Sequence, residues 1–398
     1  MMARSSSGES CAESDKWTGG LHRFLCMQGG NHDGSYAKNS EAPASAITLC
    51  KPILLAAIRS MRLFAREDEG SHSCSIRVVD LGCATGYNTL ATVGMVVESL
   101  RERYIGELGF EPEFEAFFSD LPSNDFNSLF RSLSGMDSNE KKPRRYFVAG
   151  VPGTFYRRLF PGGKLHVAVS LSALHWLSQI PGEVLDKGSR TWNKGRAWID
   201  GAKEEVVEAY SRQSEEDLDN FLKCRKEEIA EGGILFMLMG GRPNSQEPGN
   251  QLGDAESRAK HPFATSMDQA WQDLLNEGLI DEETRDGFNI PAYMRSMEEV
   301  ERAMLKCGGF EIQKMEYKRI REHSDQKKRE ELITDPVSHG RAKANLVRAT
   351  LGPIVEAHIG PHLSEELFQR FERRVSSDVS LLRKTCFYGV IIVCAIRK

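Results

Sequence analysis

A chain of 398 residues, 40% of them hydrophobic and 27% charged, can bury the core of one large domain or of two fused ones. Its formal net charge of -5 lacks the basic surplus of nucleic-acid binders, and no apolar run is read as reaching the roughly 18 residues that span a bilayer, so no nucleic-acid and no membrane partner is expected. Nine cysteines with neither a CxxC pair nor a CxxC and HxxxH array argue for reduced thiols, no zinc site and a cytoplasmic location.

Residues 1–20 are rich in Ser, Gly and Glu and lack an apolar signal region, which predicts a disordered tail. A Gly-rich stretch, MQGGNHDGSYAKNS, occupies 27–40, and Ile47 to Phe64 carries helix-compatible apolar spacing. In IRVVDLGCATGYNTL (76–90) the short β-branched run ending at Asp80 reads as a buried strand, followed by helical spacing to Leu100. Further strands are expected in FEAFFSDLPSND (114–125), KLHVAVSLSALHW (164–176) and GGILFMLMGG (232–241), with helical patterns between them. Strands alternating with helices predict an α/β layer fold on a mainly parallel sheet. The chain then divides into a core over 21–241, a polar, helix-rich cap or insertion over 242–343, and a closing segment over 344–398. The terminal VSLLRKTCFYGVIIVCAIRK is read as a strand pair that completes the sheet.

Four segments carry candidate chemistry. Asp80-Leu81-Gly82-Cys83-Ala84-Thr85-Gly86 lies between a strand and a helix, where doubly wound sheets bind nucleotides. Its spacing is not GxGxxG, and an Asp beside two glycines suits a ligand with an ammonium and a carboxylate. A structural turn would look the same. Asp120-Leu121 ends the next strand, where a carboxylate either accepts ribose hydroxyls or caps a turn. In Val151-Pro152-Gly153-Thr154-Phe155-Tyr156, Phe155 either stacks on an adenine or fills the core. In Ser172-Ala173-Leu174-His175-Trp176, the His and Trp offer N–H donors to a carboxylate or are simply packed.

Taken in order, MQGG, GSYAKNS, VVDLGCATGYNTL, FFSDLPSNDFNSLF, AGVPGTFYRRLFP, ALHWLSQIP, WNKGRAWI, FNIPAY and RATLGPIVEAHIG resemble the plant SABATH methyltransferases over roughly 24–398. The resemblance implies a Rossmann-like sheet with a helical cap, S-adenosylmethionine as methyl donor, S-adenosylhomocysteine as product, a small carboxylic acid as acceptor and a homodimer. By motif it implies donor contacts at Tyr36, Ser40, Asp80, Gly82, Cys83, Asn88, Asp120, Leu121, Thr154 and Phe155. It implies an acceptor site at Tyr36, Ser172, His175 and Trp176, the last two catalytic. It also implies a magnesium ion at Asn193, Asp286, the Phe288 carbonyl and Asn289, oxygen donors that suit a hard cation.

Three positions depart from the family pattern. Pro43 stands where a Gln helps hold the carboxylate, Ser172 replaces a Tyr, and Gln28 replaces a basic or Asn residue. Carboxylate recognition then falls to Trp176 and His175, and the roomier pocket points to an acid such as a cinnamate. A carboxylic acid is ionised at neutral pH, so no general base is needed and the chain has only to align and desolvate it. The alternatives are N-methylation of a xanthine-like heterocycle and a non-catalytic small-molecule-binding protein.

Overall fold

The computed structural model describes residues 23–64, 75–139, 144–251, 262–321, 325–378 and 387–398. The tail expected over 1–20 lies outside them. Seven strands are present: β1 (Ser75–Leu81), β2 (Glu113–Asp120), β3 (Phe147–Pro152), β4 (Leu165–Leu171), β5 (Ile229–Gly240), β6 (Phe310–Arg321) and β7 (Phe387–Arg397). They form one sheet in the order β3-β2-β1-β4-β5-β7-β6. The first five run parallel, and β7 lies antiparallel between β5 and β6. The α/β expectation therefore holds.

The central strands read as near-continuous apolar runs because both sheet faces are covered. Val78, Val169 and Phe236 face a core closed by α1 (Glu41–Ser60), α2 (Tyr87–Arg103) and α3 (Phe126–Asn139). Their neighbours Val79, Ala168 and Leu235 face α4 (Glu204–Glu228) and α7 (Met297–Cys307). Alternation by one residue assigns each side chain to a face. The helix α7 starts at a capping box in which Ser296 and Glu299 satisfy each other's backbone N–H groups.

A second apolar cluster stands apart from the sheet. It joins Leu177, Ile180 and Trp198 to α5 (Pro262–Asn276), to the short α6 (Glu282–Gly287) with Phe288, and to α9 (Pro336–Ser377), which kinks at Gly360. The remaining helix is α8 (Gln326–Thr334).

Four sequence expectations change. First, β3 was not anticipated: it is a short edge strand, largely exposed and without a dense apolar run. Second, β6 lies inside the stretch read as cap, yet it is the far edge of the sheet. Its residues EIQKMEYKRI are polar because an edge strand is half-solvated. Third, the closing strand pair is, among the described residues, one strand, β7, whose partners are β5 and β6. Fourth, α1 begins at Glu41 rather than Ile47 and is, by length and composition alone, apolar enough to cross a membrane. Its inner face, with Ala46, Cys50, Leu54 and Ile58, packs on the sheet.

The loop leaving β3 is held from below by two fully buried charges. The Glu228 carboxylate accepts the Leu159 and Phe160 N–H groups and pairs with Arg225. The Arg225 guanidinium donates to the Phe155 and Arg157 carbonyls. Glu228→Gln should leave Arg225 buried without its counter-charge and cost about 3–5 kcal/mol. Urea unfolding of both proteins measures this, and an unchanged midpoint would show that the pair holds nothing.

Candidate active site

The carboxyl ends of β1 to β4 converge on one cavity. Its geometry begins at the loop after β1. The Gly82 and Cys83 N–H groups donate to the Ser119 carbonyl at 2.8 and 3.1 Å. The Ala84 N–H donates to the Asp120 carboxylate at 2.7 Å, and the other Asp120 oxygen accepts the Leu121 N–H at 2.8 Å. Gly82 has φ of +84° and is pressed against the opposite wall: a methyl there would lie 2.3 Å from the Ala173 Cβ and 3.3 Å from the Phe155 ring. Only glycine allows this turn and this approach together.

Two acids mark this end of the cavity. Asp80, at the end of β1, is buried, and its Oδ1 has no hydrogen-bond partner. Burial pushes its pKa up to about 7, and the nearby Asp120 charge adds to the rise. The Thr89 hydroxyl offsets part of this from nearby without closing a hydrogen bond to Oδ1. Asp120 is raised to about 6, again by burial, against the two backbone donors that favour its charged form. Such a pair calls for a cationic, hydroxyl-bearing ligand. Around it, the Asn88 amide donates to the Ser40 carbonyl at 3.2 Å, tying α2 to the loop before α1. Tyr36 packs near Gly86, and the nearby acids and burial hold its phenol protonated.

The opposite wall is the segment after β4. Ser172 takes a left-handed φ of +61° while its N–H donates to the Leu238 carbonyl at 2.7 Å. This turn brings Ala173, Trp176, Leu177 and Ser178 to the cavity. The segment is fixed at many points: the Tyr156 hydroxyl donates to the Trp176 carbonyl, Leu177 N–H to Pro291 and Tyr293 N–H to His175. Asp217 accepts both the N–H and the hydroxyl of Ser178 at 2.7 and 2.6 Å.

Of the sequence-nominated residues, Tyr36, Gly82, Asp120, Leu121, Thr154, Phe155, Ser172 and Trp176 line the cavity. Asp80 and Cys83 are buried residues of the β1 loop, and Ser40 and Asn88 flank it, so these four are not wall residues. His175 departs most from expectation. The turn at Ser172 carries its ring against Gly240 at the end of β5, away from the lining. Its Nδ1 is buried without a partner, and burial, then the Arg295 charge, lower its pKa to about 4. It is neutral at pH 7 and is not among the residues lining the cavity, while a neutral imidazole keeps one N–H to donate. Pro43 sits in the first turn of α1, where its missing N–H costs no helical bond, and the Gln28 side chain packs against Gly352 of α9. Sequence reasoning missed Leu25, Cys26 and Met27, which also line the cavity; their only signal was adjacency to the Gly pair at 29–30.

The nominated metal ligands also gather. Asn193, Asp286, Phe288 and Asn289 are all buried. The Asn193 amide donates to Asn289 Oδ1 at 2.6 Å, and Asp286 accepts the Gly195 N–H at 2.9 Å. Asn289 Nδ2 has no partner, and its Oδ1 is engaged by Asn193, so that amide would have to exchange this contact to offer its oxygen to an ion. One carboxylate and two amides fit an oxygen-ligated divalent ion. Arg285 beside them already places a buried positive charge against Asp268 and Asp286.

The comparisons agree with this geometry. The family model described as SAM dependent carboxyl methyltransferase matches residues 22–398. The chain is 58% identical over 385 residues to gibberellic acid methyltransferase 2 of Arabidopsis thaliana, covering 96% of this chain and 97% of that one. It is 39% identical over 369 residues to indole-3-acetate O-methyltransferase 1 of the same plant, covering 90% and 91%. A solved loganic acid methyltransferase with S-adenosylhomocysteine superposes with a TM-score of 0.79 at 30% identity, covering 94% of this chain and 98% of that one.

With the donor's ammonium beside Asp80, as the motif resemblance implies, occupancy of the donor site is expected to depend on pH through this carboxylate. An ammonium beside it favours its ionised form, so binding lowers its pKa from about 7. Affinity for S-adenosylhomocysteine, whose α-amino group stays charged below roughly pH 7.5, should rise from pH 6 to 7.5 with proton release. Calorimetry in two buffers tests this, and Asp80→Asn should flatten the profile; a wild-type profile already flat would remove Asp80 from the site.

Proposed function

The chain belongs to the family of S-adenosylmethionine-dependent carboxyl methyltransferases, and on that premise we propose that it methylates a bulky hydrophobic acid of the gibberellic acid class. The observation that carries this is the 58% identity to gibberellic acid methyltransferase 2 along 96% of the chain. The cavity supports it: apart from the Asp120 end, its wall is dominated by Leu25, Met27, Leu171, Trp176 and Leu177, and the small Ser172 leaves room beside them. A cinnamate-type acid, suggested by Ser172 alone, becomes the second choice.

The donor supplies an activated methyl group, so the chain need not activate the acceptor oxygen. Asp120 is suited to accept ribose hydroxyls through lone pairs its two backbone donors leave free. Phe155 offers a ring face beside Gly82. The apolar wall strips water from the acceptor carboxylate, which is ionised at neutral pH and more nucleophilic when dry. The Trp176 indole N–H orients one carboxylate oxygen and leaves the other to attack, and the pinned backbone on both sides of Trp176 keeps the ring from swinging away.

Magnesium, if bound by Asn193, Asp286, the Phe288 carbonyl and Asn289, clamps α6 to the 193–198 loop and takes no part in the chemistry. With Arg285 adjacent, such an ion is held weakly. Dialysis against EDTA should leave turnover intact and lower the melting temperature only slightly, and loss of turnover restored by Mg²⁺ would overturn this role. The family resemblance further supports a homodimer, for which sedimentation of the purified chain is the direct measurement.

The decisive assay uses methyl-labelled donor with gibberellic, indole-acetic, cinnamic, coumaric and benzoic acids and with xanthines. A base-labile ester forming fastest on gibberellic acid is expected; a higher kcat/KM on another acid would reassign the substrate, and label confined to a xanthine would reject carboxyl chemistry here. Trp176→Ala should lower kcat/KM about 10- to 100-fold, the worth of a hydrogen bond to a charged group, with unchanged donor affinity.

A further inference from the structure

Among the described residues that line the cavity, none is Lys, Arg or His, and the one carboxylate, Asp120, carries the wrong sign for an anionic acceptor. A carboxylate entering such an apolar space loses its hydration and needs a compensating charge. The nearest histidine, His175, is neutral and turned away. The donor's sulfonium supplies part of that charge during transfer; the chain's own share must come from behind the wall.

Arg295 stands there. It follows FNIPAYM, is 1% exposed, and forms a backbone bridge to Gly241 just beyond β5. Its guanidinium reaches under the 172–178 segment, donating to the Leu174 carbonyl and, at 2.9 Å, to the Ser214 carbonyl. Leu174 lies between Ala173 and Trp176, both of which face the cavity. The charge is thus bonded to the backbone two residues before Trp176. Its Nε is buried without a partner, and its partners are two neutral carbonyls and the nearby Tyr156 hydroxyl rather than a carboxylate. Asp217, the acid in its vicinity, spends its oxygens on Ser178 and Gln213. A buried guanidinium without a bonded counter-ion is costly, which makes sense where an anion arrives next door. Its reach is seen in its neighbours: it holds down the pKa of His175 after burial has done so, and opposes the burial-driven rise at Asp217.

We propose that Arg295 is the positioning and specificity residue for the acceptor carboxylate, its buried charge drawing an anion to Trp176 while its two carbonyl contacts fix the segment that carries the indole. This rests on the carboxyl-methylation reading. It also accounts for discrimination: a field that favours an anionic acceptor gives no advantage to a neutral heterocycle.

The test separates charge from scaffold. Affinities of the full chain for an accepted acid and for its uncharged methyl ester are measured by calorimetry with S-adenosylhomocysteine bound, alongside kcat and KM. For Arg295→Met, acid affinity should fall about tenfold or more, with KM rising more than kcat falls, while ester affinity stays within about twofold. Arg295→Lys should recover part of the acid preference. Asp217→Asn, which keeps an acceptor for Ser178 but removes the opposing charge, should strengthen acid binding relative to ester severalfold, and it decides the matter even if Arg295→Met does not fold. Equal losses for acid and ester in Arg295→Met, or an unchanged acid-to-ester ratio in Asp217→Asn, would overturn the proposal. If the wild-type chain esterifies no acid, it is the carboxyl reading that has failed.

Discussion

The hydrogen bond from the Ala84 N–H to the Asp120 carboxylate is the contact on which the site depends. It stitches the loop after β1 to the tip of β2, and with the Ser119 carbonyl it holds Gly82 in the left-handed turn that brings backbone against Ala173 and Phe155. Parallel strands leave their carboxyl ends ragged, and a crevice forms wherever neighbouring loops part in opposite directions. Here the crevice is kept open by glycine and closed at its floor by an acid. The same acid is left half-exposed to the cavity, so one carboxylate serves architecture and ligand at once.

Charge is distributed along the cavity in a way that matches its two ligands. A sulfonium donor with an ammonium group is cationic and suits the end of the cavity marked by Asp80 and Asp120, both raised by burial, Asp80 further by the Asp120 charge. Their charged forms are costly in the empty protein and are relieved when a cation arrives. At the other end the wall is apolar and the buried cation lies behind it. A dry wall with a field behind it suits an attacking carboxylate better than a cation in direct contact would, since a strong hydrogen bond or ion pair on the attacking oxygen would lower its nucleophilicity.

Much of this was legible in the sequence where the information is local. The β-branched run into Asp80, the glycines that follow, and the strand tip at Asp120 can be read because a strand, a turn and a helix lie within about fifteen residues of one another. β6 was hidden because an edge strand alternates charge with apolar residues and imitates a surface helix. The place of the His175 ring, against Gly240 and not among the lining residues, was not legible because the left-handed turn at Ser172 rotates the following residues, and a non-glycine at positive φ leaves no mark in the sequence. Arg295 was invisible for a different reason: its meaning comes from a contact with Leu174, 121 positions away.

Buried charges in the scaffold and at the site differ in how fully they are satisfied. Arg225 and Glu228 are bonded to each other and to four backbone groups of the loop carrying Phe155, which makes them a closed unit with no demand on a ligand. Arg295 has backbone partners but no bonded acid, and Asp80 has an oxygen with none. The closed pair holds the donor-side loop still whatever is bound. These two open charges, one of each sign, lie beside the same cavity. Arg285 is open as well, buried with none of its guanidinium nitrogens hydrogen-bonded, but it stands against Asp268 and Asp286 and away from the cavity lining, so an open charge points to a ligand only where a cavity adjoins it.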